Sequence, residues 1–405
     1  MPEGPLSGLL VADFSRVLAG PYATMLLADL GADVVKVESP GGDDTRSWTP
    51  PARGEVSTYY LGVNRGKRSI ALDLREPADA EAARELARRA DVLVENFRPG
   101  GLAKYGLDFP AVHARNPGVV YASISGFGAG AGARVPGYDL MVQAMSGLMS
   151  LTGDPGGPPY RAGISVFDVM AGNHAVIGVL AALRHREATG QGQHVEVNLL
   201  SSALTGLVNQ SSAYVAGGVV PYRMGNAHPS VFPYEPLPTA DHELIVAAAN
   251  DGQFRKLCEV LGIPEVADDP RFARNADRTA RREELKPILV ERLVTRRAEE
   301  WFDLLVEAGV PSGPINTIDG GFAVAERFGL EPVVVVGEGE RAVPTTRHPI
   351  RFSRTPAGYR LPPPELDEHG TELRKWLTEP AASPSGASGP APESAPARPA
   401  GEARS

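Results

Sequence analysis

The chain has one cysteine among 405 residues, so no disulfide can form within it. Cys258 lies in Phe254-Arg255-Lys256-Leu257-Cys258-Glu259-Val260-Leu261, where Phe254, Leu257, Cys258 and Leu261 recur at helical spacing, and it reads as a small core residue. No cysteine and histidine cluster has zinc spacing, so no metal site is expected. Long basic runs are missing and the net charge is −9. That argues against nucleic acid as a partner, but an anionic ligand needs only a local basic cleft. Residues 1–5 lack a basic start and an apolar core, so a secretory signal is not expected. The most apolar stretch, 166–183, contains Asp168, Asn173 and His174 and many small residues. It reads as a buried helix rather than a membrane span. A cytoplasmic protein with no membrane attachment is the expectation.

Two nucleotide-binding signatures are absent as well. The first strand-to-helix turn reads Ser15-Arg16-Val17-Leu18-Ala19-Gly20-Pro21 and lacks Gly-x-Gly-x-x-Gly. A nicotinamide oxidoreductase, the usual guess for an alternating α/β chain, loses its main support. The glycine-rich run 126–132 lacks the Gly-Lys-Ser/Thr ending of a P-loop.

What is present is the composition of a soluble globular protein, 42% hydrophobic and 22% charged, with strand and helix signals in alternation. Strands are expected over 8–14, 32–37, 69–74, 91–96 and 119–124, with helices over 21–30 and 77–89. Pro21 opens the first of these helices and Gly31 closes it. This βαβ rhythm predicts a mostly parallel sheet covered by helices. A long helix after Asp168 runs to about Glu187, Gly190-Gln191-Gly192 breaks it, and a strand follows over 194–197. Residues 244–249 read as a strand, 252–261 and 281–308 as helices, and 317–377 as strands and turns. The resulting division is 1–224 for the first α/β part, 225–320 for a smaller α/β domain, 321–379 for a return segment, and 380–405 for a tail. The tail is almost entirely Pro, Ala, Ser, Gly, Glu and Arg and is expected to be disordered.

Several residues could carry chemistry. Asn64-Arg65-Gly66-Lys67-Arg68-Ser69 sets three cations before a strand, and Glu95-Asn96-Phe97-Arg98-Pro99-Gly100 ends another, with Lys104 close behind. In parallel sheets ligands gather beyond the carboxyl ends of strands, so a polyphosphate and an adenine ring would suit these cations and Phe97. Solvated surface charges are the plainer reading. Asp168 stands in Gly163-Ile164-Ser165-Val166-Phe167-Asp168-Val169-Met170 with a helix expected to start at Val169, so it can be an N-cap. It can also be a nucleophile, because a carboxylate held near a helix N-terminus can attack a thioester and form a mixed anhydride.

Taken in order, seven stretches resemble the family III CoA-transferases, over roughly residues 6–375. The first two are Asp13-Phe14-Ser15-Arg16-Val17-Leu18-Ala19-Gly20-Pro21 and Leu30-Gly31-Ala32-Asp33-Val34-Val35-Lys36-Val37-Glu38. The others are 64–74, 90–100, Pro136-Gly137-Tyr138-Asp139, the Asp168 segment, and Thr189-Gly190-Gln191-Gly192-Gln193. The resemblance implies a Rossmann-like large domain built from both chain ends, a smaller α/β domain between, and a homodimer of two interlocked ring-shaped chains. It implies acyl-CoA and carboxylate substrates, with coenzyme A arriving as a thioester and no permanently bound cofactor. Asp168 matches the family's catalytic aspartate, which would pass through an aspartyl-acyl anhydride and an aspartyl-CoA thioester. Val17, Leu18 and Ala19 match the turn against CoA. Leu72 and Arg75 match a strand end near the adenine, and Asn96, Phe97 and Arg98 the next contact. Lys104 matches a residue that reaches phosphate. Ser39 stands where the formyl-CoA enzyme has arginine, so that contact is not carried over.

The same fold includes the α-methylacyl-CoA racemases, which pair the aspartate with a histidine where this chain has Tyr138. An unperturbed phenol, with a pKa of about 10, is a poor substitute base. Transfer is therefore favoured over racemisation, and His174 reads as a satisfied core histidine. A non-catalytic CoA-binding protein, with Asp168 only a cap, is the remaining alternative. The segment 225–234 looks most like enzymes that use succinyl-CoA and dicarboxylate acceptors. It lacks the long glycine-rich loop of the formyl-CoA:oxalate enzyme, which counts against oxalate.

Overall fold

A computed structural model describes residues 4–380, so all of the expected tail but its first residue lies outside the described residues. Strands β1 (Leu10–Asp13) and β2 (Asp33–Glu38) are followed by a short ribbon of β3 (Ala52–Arg53) and β4 (Val56–Ser57). Next come β5 (Lys67–Ala71), β6 (Val92–Glu95), β7 (Val120–Ser125) and β8 (His194–Asn198). Six of these form one sheet in the order β5-β2-β1-β6-β7-β8, with every neighbouring pair parallel. Val11 of β1 faces Val34 on one side and Val92 on the other. Such continuous apolar runs are what a sheet covered on both faces requires.

Helices Ala19–Asp29 and Val166–Thr189 cover one face, burying Ala23, Leu27, Phe167, Ala171, Ala175 and Val179. On the other face lie helices Pro77–Arg89, Phe109–Arg115 and, from the far end of the chain, Gly370–Thr378. This last helix is tied to β5, where Asp367 Oδ1 accepts from the Ala71 N–H at 2.8 Å and His369 Nδ1 from the Ser69 N–H at 3.2 Å. Along the sheet the chain builds outward from β1 through β2 to β5, then restarts at β6 and builds the opposite way. The turns leaving β1 and β6 therefore diverge, and a crevice opens between the two carboxyl ends.

A second core is separate from the first. Strands β9 (Tyr234–Pro238), β10 (Glu243–Ala247) and β11 (Ser312–Pro314) form an antiparallel sheet around Phe232, Leu237, Phe254, Leu257, Leu289 and Trp301. Cys258 is buried here, and burial pushes its thiol up to about 12, so it stays protonated. A hairpin of β12 (Val333–Val336) and β13 (Val343–Thr346) follows.

Four sequence expectations change. The continuous helix over 281–308 is two helices, Arg282–Leu293 and Ala298–Glu307. Asp241, from the turn between β9 and β10, accepts the Ala298 N–H at 2.9 Å and starts the second helix afresh. A helix, Ile318–Arg327, occupies a stretch read as strands and turns. The cations Arg65, Lys67 and Arg68 are neither a phosphate cradle nor free surface charge. Arg65 is bidentate to buried Asp29, Lys67 is paired with buried Asp13, and Arg68 with Asp33. Finally, Val166–Thr189 is long and apolar enough to cross a membrane, and only one of its faces is buried in this chain. Ile177, on the other face, is 63% exposed.

The two helices that flank the crevice cross at Gly172. A β-carbon there would lie 2.7 Å from the Ala19 carbonyl oxygen and 3.1 Å from the Tyr22 ring. Gly172→Ala is therefore expected to push the helices apart and to cost about 1–3 kcal/mol of stability. An unchanged urea midpoint would contradict this close packing.

Candidate active site

The turn after β1 carries the first half of the site. Val17 has φ +68°, a left-handed conformation that β-branched residues avoid. Holding it there costs on the order of 1–3 kcal/mol, so the surroundings must over-determine it. The Val17 N–H points at the buried Asp43 carboxylate, 3.2 and 3.3 Å from its two oxygens. Asn96, just past β6, clamps the preceding residue from the other side. Its Oδ1 accepts from the Arg16 N–H at 2.9 Å and its Nδ2 donates to the Arg16 carbonyl at 2.7 Å. Leu18 is then the N-cap of helix Ala19–Asp29, with no side-chain capping bond.

Asp168 carries the second half. Its helix starts at Val166, three residues before the expected start, so Asp168 sits in the first turn and is not the N-cap. Ser165 holds the N-cap position without a side-chain bond. The capping falls to Asp139, whose Oδ1 accepts from the Phe167 N–H at 2.7 Å and the Asp168 N–H at 3.2 Å. Gln143, one turn further along the helix Asp139–Met145, donates to Asp139 and to the Ile164 carbonyl, and accepts the Ala162 N–H. Asp139 and Gln143 thus bracket the loop that delivers Asp168. Sequence reasoning missed this role. The available signal was two polar residues one turn apart in an otherwise apolar helix.

Both halves open into one cavity of about 430 Å³ at the crevice between β1 and β6. Asp168, Val17, Leu18, Ala19, Asn96, Phe97 and Arg98 all line it, together with Tyr138 and the glycine-rich loop from Gly126. Asp168 is half-buried. Burial, and then the neighbouring Asp139 charge, push its carboxyl up to about 7. The Arg16 guanidinium sits 5.9 Å above the Phe97 ring at the rim.

Three expected contacts stay outside this cavity. Leu72 is 2% exposed and packs in the core, so only its backbone could meet a ligand. Arg75 is folded onto Asp73 in a two-bond pair. Lys104 lies exposed over the Tyr105 ring. For Leu72 and Arg75 the cause is the strand order: β5, which leads to both, is three places from β6, about 14 Å away. His174 is satisfied by Ser202, its Nδ1 lying 2.9 Å from the hydroxyl, and the cavity lining contains no histidine. Among the described residues no cluster of metal-ligating side chains occurs.

The family model for CoA-transferase family III matches residues 6–370. The chain belongs to this family. It is 46% identical over 379 residues to the succinate–glutarate CoA-transferase of Agrobacterium fabrum, covering 91% of this chain and 94% of that one. It is 39% identical to the human succinyl-CoA:glutarate CoA-transferase, covering 92% of this chain and 85% of that one. It is also 41% identical to the acetyl-CoA:oxalate CoA-transferase of Acetobacter aceti, covering 94% and 98% of the two chains. Relatives thus include one named for oxalate despite the missing glycine-rich loop. Among solved structures, a CaiB/BaiF family protein from Brucella suis superposes with a TM-score of 0.82 at 44% identity, covering 93% of this chain and all of that one.

The position of Asp168 has a stability consequence. Its carboxyl is raised from 3.8 to about 7 on folding, so the folded chain binds the proton more tightly than the unfolded chain. Stability is then lost as pH rises through about 7. Asp168→Asn is expected to melt higher than the wild type at pH 8, with the gap closing as pH falls toward 3.8. A lower melting point at pH 8 would mean that the charged carboxylate stabilises the fold, as a cap would.

Proposed function

We propose that this CoA-transferase moves CoA from an acyl-CoA donor to a carboxylic acid by way of Asp168. The observation that carries the reading is a half-buried carboxylate with a raised pKa, facing the strained Val17 turn in a cavity without histidine. Its higher basicity makes the ionised form a stronger nucleophile toward a thioester carbonyl. One Asp168 oxygen attacks that carbonyl, the C–S bond breaks, and an aspartyl-acyl anhydride forms with release of CoA thiolate. The thiolate attacks the aspartyl carbonyl, expelling the donor acid and leaving an aspartyl-CoA thioester. The acceptor carboxylate attacks this thioester to give a second anhydride. The thiolate then takes the acyl group and restores Asp168. Proton abstraction, the racemase alternative, has no second base in the lining; Tyr138 is its only counterpart and is 59% exposed.

Relatives named for succinyl-CoA and glutarate support succinyl-CoA as donor and a dicarboxylate as acceptor. CoA enters as substrate, with its thioester end at Val17, Leu18, Ala19, Asn96, Phe97 and Arg98. The nucleotide end is assigned to the surface that carries Leu72, Arg75 and Lys104. The large domain is taken as 1–224 with 321–379, around a smaller domain at 225–320, in a cytoplasmic protein with no nucleic-acid or membrane partner. A homodimer accounts for the apolar side chains left exposed on the long helix and the two after it, including Ile177, Leu204, Val208 and Val215.

With succinyl-CoA and glutarate, Asp168→Ala is expected to lower glutaryl-CoA formation by roughly a thousandfold or more. Full turnover in the variant would sink the mechanism. For the wild type, kcat/KM for the donor should rise with pH through about 7 and then level off, as Asp168 ionises in the free enzyme. A profile that falls over that range would assign the limb to a different group.

A further inference from the structure

We propose that Lys36 and Asp43, backed by Lys67 and Asp13, are positioning residues that hold the turn 15–19 in the shape that receives the thioester. The claim rests on the functional reading above for what the turn binds. The side chains of all four residues are fully buried and none lines the cavity. Burying an ion pair adds little stability over well-packed apolar residues of the same volume, so the placement of these charges calls for a different reason.

Their hydrogen bonds supply it, because they converge on the backbone of one turn. Lys36 Nζ donates to the Ser15 carbonyl at 3.1 Å and to Asp43 Oδ2 at 2.9 Å. Asp43 accepts the N–H of Val17, the strained residue, and also the Thr45 N–H and hydroxyl. One lysine thus fastens the turn on both sides of Arg16, directly at Ser15 and through Asp43 at Val17. Asp13 accepts the Ser15 N–H at 3.0 Å and the Ser15 hydroxyl, and also takes the Thr24 hydroxyl at 2.7 Å. Lys67 Nζ joins Asp13 at 3.0 Å to the Pro21 carbonyl at 2.9 Å, beyond the turn. The four residues come from β1, β2, β5 and the loop after β2, so three strands are locked to the same few peptide groups. Without these bonds only the Asn96 clamp on Arg16 still holds the turn, nothing fixes Val17 itself at positive φ, and its relaxation would swing Leu18 and Ala19 out of the lining.

The test replaces the central pair together, Lys36→Met with Asp43→Leu, so that no buried charge is left alone. Hydrogen exchange followed by mass spectrometry, and donor and acceptor KM values, are measured on the full chain. The expected result is exchange at least tenfold faster in the peptide covering 15–20 with the rest of the sheet unchanged. The KM for succinyl-CoA should rise at least tenfold while the KM for the acceptor holds. Unchanged exchange at 15–20, or exchange that rises evenly across β1, β2 and β5 with an unchanged donor KM, would overturn the proposal. Should that variant not fold, Asp43→Asn keeps the shape and removes the charge. It is expected to show the same local pattern to a smaller degree, and a wild-type pattern would count against the proposal. If the wild-type chain transfers CoA from no donor, the functional reading fails, and the exchange result still decides the role of the network.

Discussion

The site depends on how closely the long helix Val166–Thr189 approaches the turn after β1. Gly172 lets that helix ride over the Ala19 carbonyl, and the approach sets Asp168 opposite Val17, Leu18 and Ala19. The parallel sheet supplies the place, because its order reverses between β1 and β6 and leaves a crevice at their carboxyl ends. Neither feature is sufficient alone. A crevice without the close helix would lack its carboxylate, and the helix without the crevice would bury Asp168 against packed backbone.

Both walls of the cavity are held at an energetic cost. Val17 is kept at positive φ, and Asp168 is kept where ionisation is unfavourable. Each is stabilised by groups that do not themselves line the cavity or do not react: Asp43 at Val17, and Asp139 at the N–H groups of Phe167 and Asp168. Asp139 serves two ends. It satisfies the start of the long helix, and its charge adds to burial in raising the pKa of Asp168. A carboxylate doing both explains why the helix needs no cap from Ser165.

Much of the fold was legible in the sequence. The helix Pro77–Arg89 follows from good helix formers behind a proline, and the parallel strands from short apolar runs between turn signals. Asp168 was legible as a reactive candidate through the resemblance, and its setting was not. The residue that caps its helix lies 29 positions earlier, a pairing that no local pattern encodes. The basic run 64–69 misled for a related reason. Its charges look like a phosphate cradle only until the strands are assembled, when Asp13, Asp29 and Asp33 come from elsewhere in the chain to meet them. The break in the helix at Val294–Arg297 likewise comes from Asp241, far away in sequence. Long-range polar partners are the information missing from periodicity.

The central claim is that Asp168 carries CoA covalently. The direct measurement is intact-protein mass spectrometry of the wild type and of Asp168→Ala after incubation with succinyl-CoA. The account predicts a CoA-sized adduct on the wild type, removed by hydroxylamine and absent from the variant. An adduct of equal abundance on Asp168→Ala, or none on the wild type under conditions in which it turns over, would contradict it.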